Sequence, residues 1–574
     1  MSASHTEFHP DRPLKCLLMY PAFPESAYWN WKEVCHALGR QAMGIPLGMI
    51  TFAATLPRHW EMRLMDLNAV PWDDEAWRWA DLVCVGGMII QQSGVFEIIE
   101  RARRDGKFVI VGGPDATSQP TLYENADALV LGEAETTVPV WLDAWRQGHP
   151  RGKFQVHEKP DVTQSPVPRF DLLNMDDYLC INVQFSRGCP FNCEFCDIIE
   201  LFGRKPRTKA PEQFCRELET LYDLGYRGWV DVVDDNFVGN RRNVKQMLPV
   251  LKEWSEKRGY PFYYSTQASI NLADDEPLMD AMTEVDFRIV FVGIETPDPK
   301  LLATTQKRMN AHKPITDRIA KIYDHGLSVT AGFILGFDGE SKGAGDVIIE
   351  CIEENAVPIA MASLLAALPN TQLSRRLTRE GRLLHSATYE PFAPGQRHEL
   401  LLPTVKGEAP DQAALGGLKF TTTRNRYEIL QEHRHVWQTV YQPKQYFARV
   451  LRAVQRIKAH HKHKLPRRQQ WRLDRGFLNL VRRLSRIPGV RWPLWWMLLR
   501  AFFLGRARFE HAARMAVAYL QFHKIRRRIE EGLPDRIRYE RSKNVPEVWE
   551  PRERPTADPS PQPAQDPAEY VSNT

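Results

Sequence analysis

Short apolar runs alternate with amphipathic stretches from the start of the chain. Residues 14–20 (LKCLLMY) read as a buried strand. Residues 45–57 fit a helix that stops at Pro57, followed by a strand at 61–68. A strand at 81–87, a helix at 94–105, a strand at 107–112 and a strand at 126–133 come next. Strands alternating with helices predict a parallel sheet covered on both faces, a doubly wound α/β domain over 12–147. Ligands of such sheets sit at the carboxyl ends of the strands. Gly112, Gly113 and Gly132, with Glu133 beside them, fall at those ends. Glycine there either admits a ligand to the backbone or serves as plain turn chemistry.

Residues 148–176 are rich in proline and charge and read as a linker. A second α/β series begins at 180–187. It continues through strands at 228–233, 261–267, 288–294, 327–335 and 357–365, with helices at 211–224, 241–257, 275–283, 313–325 and 343–354. Six uninterrupted units predict a partial (β/α)6 barrel within 177–400, with its chemistry at the strand carboxyl ends. Those ends carry Asp234, Asp235 and Asn236, then Ser265 and Gln267, then Glu295, then Gly332. From 401 to 550 the pattern becomes basic and mainly helical, and the proline-rich stretch 551–574 is expected to be disordered.

Charge sharpens this division. The 574 residues carry a net +5, but residues 441–530 hold 23 Lys and Arg against 3 Asp and Glu, which leaves the remainder at −15. An acidic body with a basic appendage fits contact with an anionic surface. Within the appendage, 475–509 interleaves arginines with Trp492, Trp495, Trp496, Leu498, Leu499, Phe502 and Phe503. That makeup suits an interfacial helix, a basic helix packed on the barrel, or a nucleic-acid patch. The membrane surface is the expected partner, and nucleic acid is not. No run of 18 apolar residues and no apolar leader stand in the sequence, so a cytoplasmic protein, peripheral on the inner face of the membrane, is expected.

Nine cysteines are present, and three of them share one loop: Cys189, Cys193 and Cys196, in SRGCPFNCEFCDIIELFG. Thiolates suit iron–sulfur clusters or zinc. A closed zinc site needs four ligands, and no fourth Cys or His stands close by. Three thiolates leave one iron of a four-iron cluster open to a small molecule.

This array resembles the signature of the radical S-adenosylmethionine (SAM) enzymes. Residues ~14–400, with the wording GCPFNCEFCDIIELFGRKPRTK, VDDNF, FVGIETPDP and GFILGFD, resemble their cobalamin-binding class. The similarity is to the branch that includes hopanoid C-2 methylases and carries a C-terminal domain of unknown function. The resemblance implies a [4Fe–4S] cluster on Cys189, Cys193 and Cys196. It places SAM near Asp234, Asp235, Asn236, Ser265, Gln267, Glu295 and Gly332, and cobalamin near Gly112, Gly113, Gly132 and Glu133. One departure stands out: the cobalt-ligating D-x-H-x-x-G of the wider class is replaced by Asp66-Leu67-Asn68.

The implied activity is methyl transfer to an unactivated carbon of a lipid or isoprenoid, with electrons from an external donor such as a flavodoxin or ferredoxin. Two alternatives remain: cyclisation or oxidation with the same cofactors, and a corrinoid- or iron-dependent sensor with a nucleic-acid-binding tail.

Overall fold

The computed structural model describes residues 9–25, 27–310, 313–384, 416–459, 461–465 and 467–549. Six parallel strands form the N-terminal sheet: β1 (Lys15–Tyr20), β2 (Glu61–Asp66), β3 (Leu82–Gly86), β4 (Phe108–Gly112), β5 (Ala128–Leu131) and β6 (Gly152–Gln155). Their spatial order is β2-β1-β3-β4-β5-β6. Alternate residues of one strand enter opposite cores, as a period of two requires. Leu17, Met19, Val83, Val85, Val109 and Val111 pack on one face against Val95, Ile98 and Ile99 of helix Gln92–Arg104. Cys16, Leu18, Cys84 and Ile110 pack on the other against Met49, Trp141 and Trp145. Burial on both faces explains why these strands read as continuous apolar runs. Residues 148–176, expected as a linker, carry β6, which adds a sixth strand beside β5. Gly152-Lys153-Phe154-Gln155 is half-polar and short, so an edge strand there leaves no apolar signature.

The second sheet is also wholly parallel, in the order β14-β13-β12-β11-β10-β7. Its strands are β7 (Ile181–Val183), β10 (Gly228–Val232), β11 (Phe262–Ala268), β12 (Phe287–Glu295), β13 (Ser328–Leu335) and β14 (Ile359–Leu364). Between the first two lies a two-stranded hairpin of β8 (Ser186–Arg187) and β9 (Arg207–Thr208). Chain order equals spatial order, as in a barrel, but six strands do not close one, and β7 and β14 are left as open edges.

Both edges are covered by parts of the chain far away in sequence. Residues 42–45 run along β7: Leu179 N donates to Ala42 O at 2.9 Å, Cys180 N to Met43 O at 2.9 Å, and Ile45 N to Asn182 Oδ1 at 2.9 Å. Side chains cap β14. Tyr28 Oη and Trp437 Nε1 donate to Ala362 O at 3.1 and 2.8 Å, and Tyr441 Oη donates to Ala360 O at 2.7 Å. The N-terminal segment after β1 therefore helps to complete the barrel wall.

The C-terminal region is helical, with helices Arg426–Val440, Pro443–Arg456, Arg467–Leu484, Arg491–Phe503 and Arg506–Ser542. The ring of Tyr441 packs against both Trp437 and Phe522, with centroids 5.0 and 5.1 Å away. Arg426 and Glu540 form a fully buried bidentate pair at 2.6 and 3.0 Å. Stretch 475–509, read as one interfacial segment, is broken at Pro488-Gly489 and belongs to three helices. The expected disorder of 551–574 and the barrel's expected end at 400 lie outside the described residues.

Candidate active site

The cysteine loop leaves β8 and returns through β9. Its first turn is made by Gly188 at φ +90°, where a Cβ would lie 2.8 Å from Gly203 O and 3.1 Å from Lys205 O. Only glycine fits that crossing. Asp235 Oδ2 accepts the Gly188 N–H at 2.7 Å. One step earlier, Asp234 accepts from Phe185 N, Ser186 N and Ser186 Oγ at 2.7, 2.9 and 2.6 Å. The strand end Asp234-Asp235 thus holds the entry to the loop. Burial pushes the two carboxyls up, Asp234 to about 7 and Asp235 to about 6.

The far side of the loop is clamped from the helix Gln372–Arg379 that follows β14. Leu373 N donates to Glu194 O at 2.8 Å, Arg376 binds the Glu194 carboxylate at 3.0 Å, and Gln372 Nε2 donates to Asn192 Oδ1 at 2.9 Å. Phe195 packs on Phe337 at 5.8 Å between centroids.

Cys189, Cys193 and Cys196 are half-buried and free of disulfides. Burial raises all three thiols, Cys193 to about 11 and Cys196 to about 12. They stay neutral unless positive charge is brought to them, which thiolate-bound iron does. Among the described residues no three His, Cys, Asp or Glu side chains converge as a single-ion site does. In a multi-iron cluster each thiolate takes its own iron, so three cysteines on one clamped loop fit that group.

The surroundings are polar and specific. Asn236 Nδ2 lies 3.7 Å from Cys189 Sγ and 3.1 Å from Ser269 Oγ. Lys307, missed by the sequence reading, is buried and hydrogen-bonded to Glu295. Burial opposes its charge, but the Glu295 carboxylate outweighs that and holds its pKa above the ordinary value. Glu295 itself has φ +68° and follows a register shift against β13. Strain of this kind in a non-glycine residue, beside a bulge, marks sites where a side chain is re-aimed. A lysine twelve positions after Glu295, past an intervening helix, has no spacing that announces it.

The structure sorts the remaining site residues. Asp235, Asn236 and Glu295 gather round the cysteine loop. Ser265 and Gln267 line a large cavity, where Ser265 Oγ is hydrogen-bonded to Asp231 and accepts from Trp229 Nε1 at 2.6 Å. Gly332 packs in the same lumen, under the Phe291 ring. Asp234 is fully buried, with both carboxylate oxygens committed to the loop backbone, so its place is structural.

Of the four residues expected at the corrinoid, none lines that cavity. Glu133 is bound by Arg187 at 2.9 Å and by Arg207 at 2.8 Å, which ties β5 to the cysteine hairpin. Gly112 allows close packing in the sheet, since a Cβ there would lie 2.9 Å from Val130 O. Gly113 and Gly132 turn the chain at φ +91° and +84°.

The cavity measures about 1440 Å3. One end is the crevice beyond the carboxyl ends of β1, β2 and β3, lined by Tyr20, Phe23, Leu67, Asn68 and Met88. That is the point where strand order reverses, the usual ligand site of a doubly wound sheet. The other end is the barrel lumen, lined by Ser265, Gln267, Phe291, Thr330 and Met361. Gln267 stands two residues before Ser269, which Asn236 links to Cys189.

A parallel partial barrel with a three-cysteine loop at its strand ends defines a radical SAM enzyme. Residues 183–350 match the radical SAM superfamily, and residues 371–534 match a domain of unknown function, DUF4070. An uncharacterized methyltransferase of Synechocystis is 45% identical over 78% of this chain and 80% of its own. The hopanoid C-2 methylase of Rhodopseudomonas palustris is 38% identical over 60% of this chain and 66% of its own.

Among solved structures, the cobalamin-dependent SAM radical enzyme OxsB aligns with a TM-score of 0.56 at 15% identity, over 94% of this chain and 82% of that one. TsrM from Kitasatospora setae, a radical SAM methyltransferase, aligns with a TM-score of 0.54 at 14% identity, over 91% of this chain and all of that one. These two share the fold. The chain belongs to the radical SAM methyltransferase family that joins an N-terminal α/β domain and a DUF4070 domain to the SAM barrel. A [4Fe–4S] cluster and SAM are the cofactors of that superfamily.

Proposed function

We propose that the protein is a cobalamin-dependent radical SAM methyltransferase acting on an unactivated carbon of a lipid or isoprenoid. The single observation that carries this reading is the continuous cavity between the β1–β3 crevice and the barrel lumen. When bound, the cluster and SAM supply hydrogen abstraction and the corrinoid supplies the methyl group. Cys189, Cys193 and Cys196 would hold the cluster. Asp235, Asn236, Glu295 and Lys307 would surround SAM beside it, with Gln267 and Ser265 on the cavity wall. Tyr20, Leu67, Asn68 and Met88 would face the corrinoid from the cavity side. Asn68 is fixed for this: its Oδ1 accepts from Phe23 N at 2.7 Å and its Nδ2 donates to Asp66 Oδ1 at 2.8 Å. The chain's own part would be to hold the cysteine loop beside the Gln267 end of this cavity and to exclude water, and such positioning supplies a large part of a barrier reduction.

The lipid reading rests on the apolar wall, which includes Trp31, Phe291 and Met361, and on an exposed aromatic face. On helix Arg491–Phe503, Trp492 is 79% exposed, Phe503 77% and Phe502 64%. Arg491 and Arg500 lie over Trp492 and Trp496 of the same helix. Aromatic tips rimmed by arginine suit an anionic bilayer surface, each cation contributing about 1 kcal/mol near it. Among the described residues no helix is long and apolar enough to cross a membrane. Flotation with phosphatidylserine liposomes tests this contact: wild type should float at low salt and W492S/F502S/F503S should not. Flotation of both alike, or of neither, would contradict it.

For the substrate, lipid extracts from cells with and without the protein are compared by mass. A lipid heavier by one methylene in the expressing cells is expected. Extracts without such a difference would remove the lipid reading.

A further inference from the structure

The cavity extends past the lumen to the foot of the barrel, where the strands begin, and this end is cationic. Tyr263 is the second residue of β11 and Arg288 the second of β12. Arg514 reaches them from helix Arg506–Ser542, and all three line the cavity. The two guanidinium carbons lie 4.3 and 4.8 Å from the Tyr263 ring centroid.

Their charges are balanced unequally. Arg288 is held bidentately by buried Asp286 at 2.9 and 2.8 Å. Among the described residues the ion partner of Arg514 is Glu510, at 4.0 Å. That one carboxylate also serves Arg506 at 2.9 Å and His461 at 3.1 Å. Arg514 Nη1 is buried and has no hydrogen-bond partner. A buried, unpartnered guanidinium N–H costs free energy, and planar guanidinium donors match carboxylate and phosphate oxygens. Burial and the neighbouring Arg288 both work against the charge of Arg514, so an incoming anion relieves the site.

We infer that Arg514 is a substrate-specificity residue that binds an anionic group, phosphate or carboxylate, at one end of an amphiphilic substrate. This rests on the lipid reading above and narrows its class. Tyr263 and Gln267 are four residues apart on β11, which at ~3.3 Å per residue sets ~13 Å between the anion at the foot and the layer beneath the cysteine loop. Trp229, Phe291 and Met361 line the same lumen and suit the hydrocarbon body between them. Binding at the foot would then choose which carbon of the chain is presented at the top.

Calorimetric titration of the reconstituted holoenzyme with farnesyl diphosphate, farnesoic acid and farnesol tests this. Both anionic probes should bind at least tenfold more tightly than farnesol, and their ratio separates phosphate from carboxylate preference. Arg514→Met should abolish the tenfold preference while changing farnesol binding less than twofold. Arg514→Lys should keep part of it, and Arg103→Met, on the exposed side of helix Gln92–Arg104, should keep all of it. Equal binding of the three probes to wild type would overturn the anion site and leave the lipid reading standing. Equal weakening of all three by Arg514→Met would also overturn it, since that marks a packing role. Binding of none of them would remove both.

Discussion

Arg207 Nη2 donates to Glu133 Oε1 at 2.8 Å, across the boundary between the N-terminal sheet and the hairpin that carries the cysteine loop. Arg187 Nη1 reaches the other oxygen at 2.9 Å, and the Glu133 side chain is 3% exposed. This carboxylate is one of the ties between the N-terminal sheet and the cysteine hairpin, beside the Glu135–Arg187 pair at 2.7 Å. Removing one partner of a buried ion pair costs about 3–5 kcal/mol, because the other charge is left uncompensated. Glu133→Ala should lower the melting temperature and keep its iron. It should also cleave SAM to 5′-deoxyadenosine with less accompanying S-adenosylhomocysteine than wild type. An unchanged product ratio would show that the pair does not set the alignment.

Glu295 and Lys307 form a buried ion pair beside the Cys193 thiol. Glu295→Gln and Lys307→Met should each weaken SAM binding by about ten- to a hundredfold, the worth of one hydrogen bond to a charged group. Iron content should stay at wild-type level in both. The triple Cys189/Cys193/Cys196→Ala variant should instead lose its iron and brown colour. Wild-type SAM affinity in Glu295→Gln and Lys307→Met would remove the pair from the site.

Burial keeps His463 and His511 neutral at the joint of barrel and C-terminal helices, lowering their pKa values to about 4 and about 3. His463 Nδ1 bonds Tyr260 O at 2.8 Å and His511 Nε2 bonds Ser328 Oγ at 3.2 Å. A depressed histidine pKa means that the unfolded chain takes up protons first as pH falls. Stability from each group is complete above an unfolded pKa of about 6.5 and declines below it, until the folded pKa is reached. Between pH 7.5 and 5.5 each should contribute a loss of about 1.4 kcal/mol. Melting curves at the two pH values should show a smaller drop for His511→Gln than for wild type. An equal drop would mean that His511 titrates in the native state.

Much of this was legible because the signals are local. The spacing of Cys189, Cys193 and Cys196 marks the cluster loop, and short apolar runs between helical stretches set most strand positions to within a residue or two. What was hidden depends on distant pairing. Residues 27–45 give no sign that they cover the barrel edge, because the bonds of Tyr28 and Ala42 go to Ala362 and Leu179. Glu133 gives no sign of its ion pairs, because its arginines lie 54 and 74 residues onward. Arg514 is one of many arginines in a basic region, and only the cavity distinguishes it. The single interfacial segment became three helices because the amphipathic composition of 475–509 carries no trace of where its packed side turns.

Methyl transfer to carbon requires two uses of SAM in one enzyme. It is tested most directly with SAM carrying three deuteriums on its methyl group, supplied to the reduced enzyme with substrate. The product should gain one carbon bearing all three deuteriums, and 5′-deoxyadenosine and S-adenosylhomocysteine should appear in comparable amounts. A product of unchanged carbon count, with 5′-deoxyadenosine but no S-adenosylhomocysteine, would contradict methyl transfer.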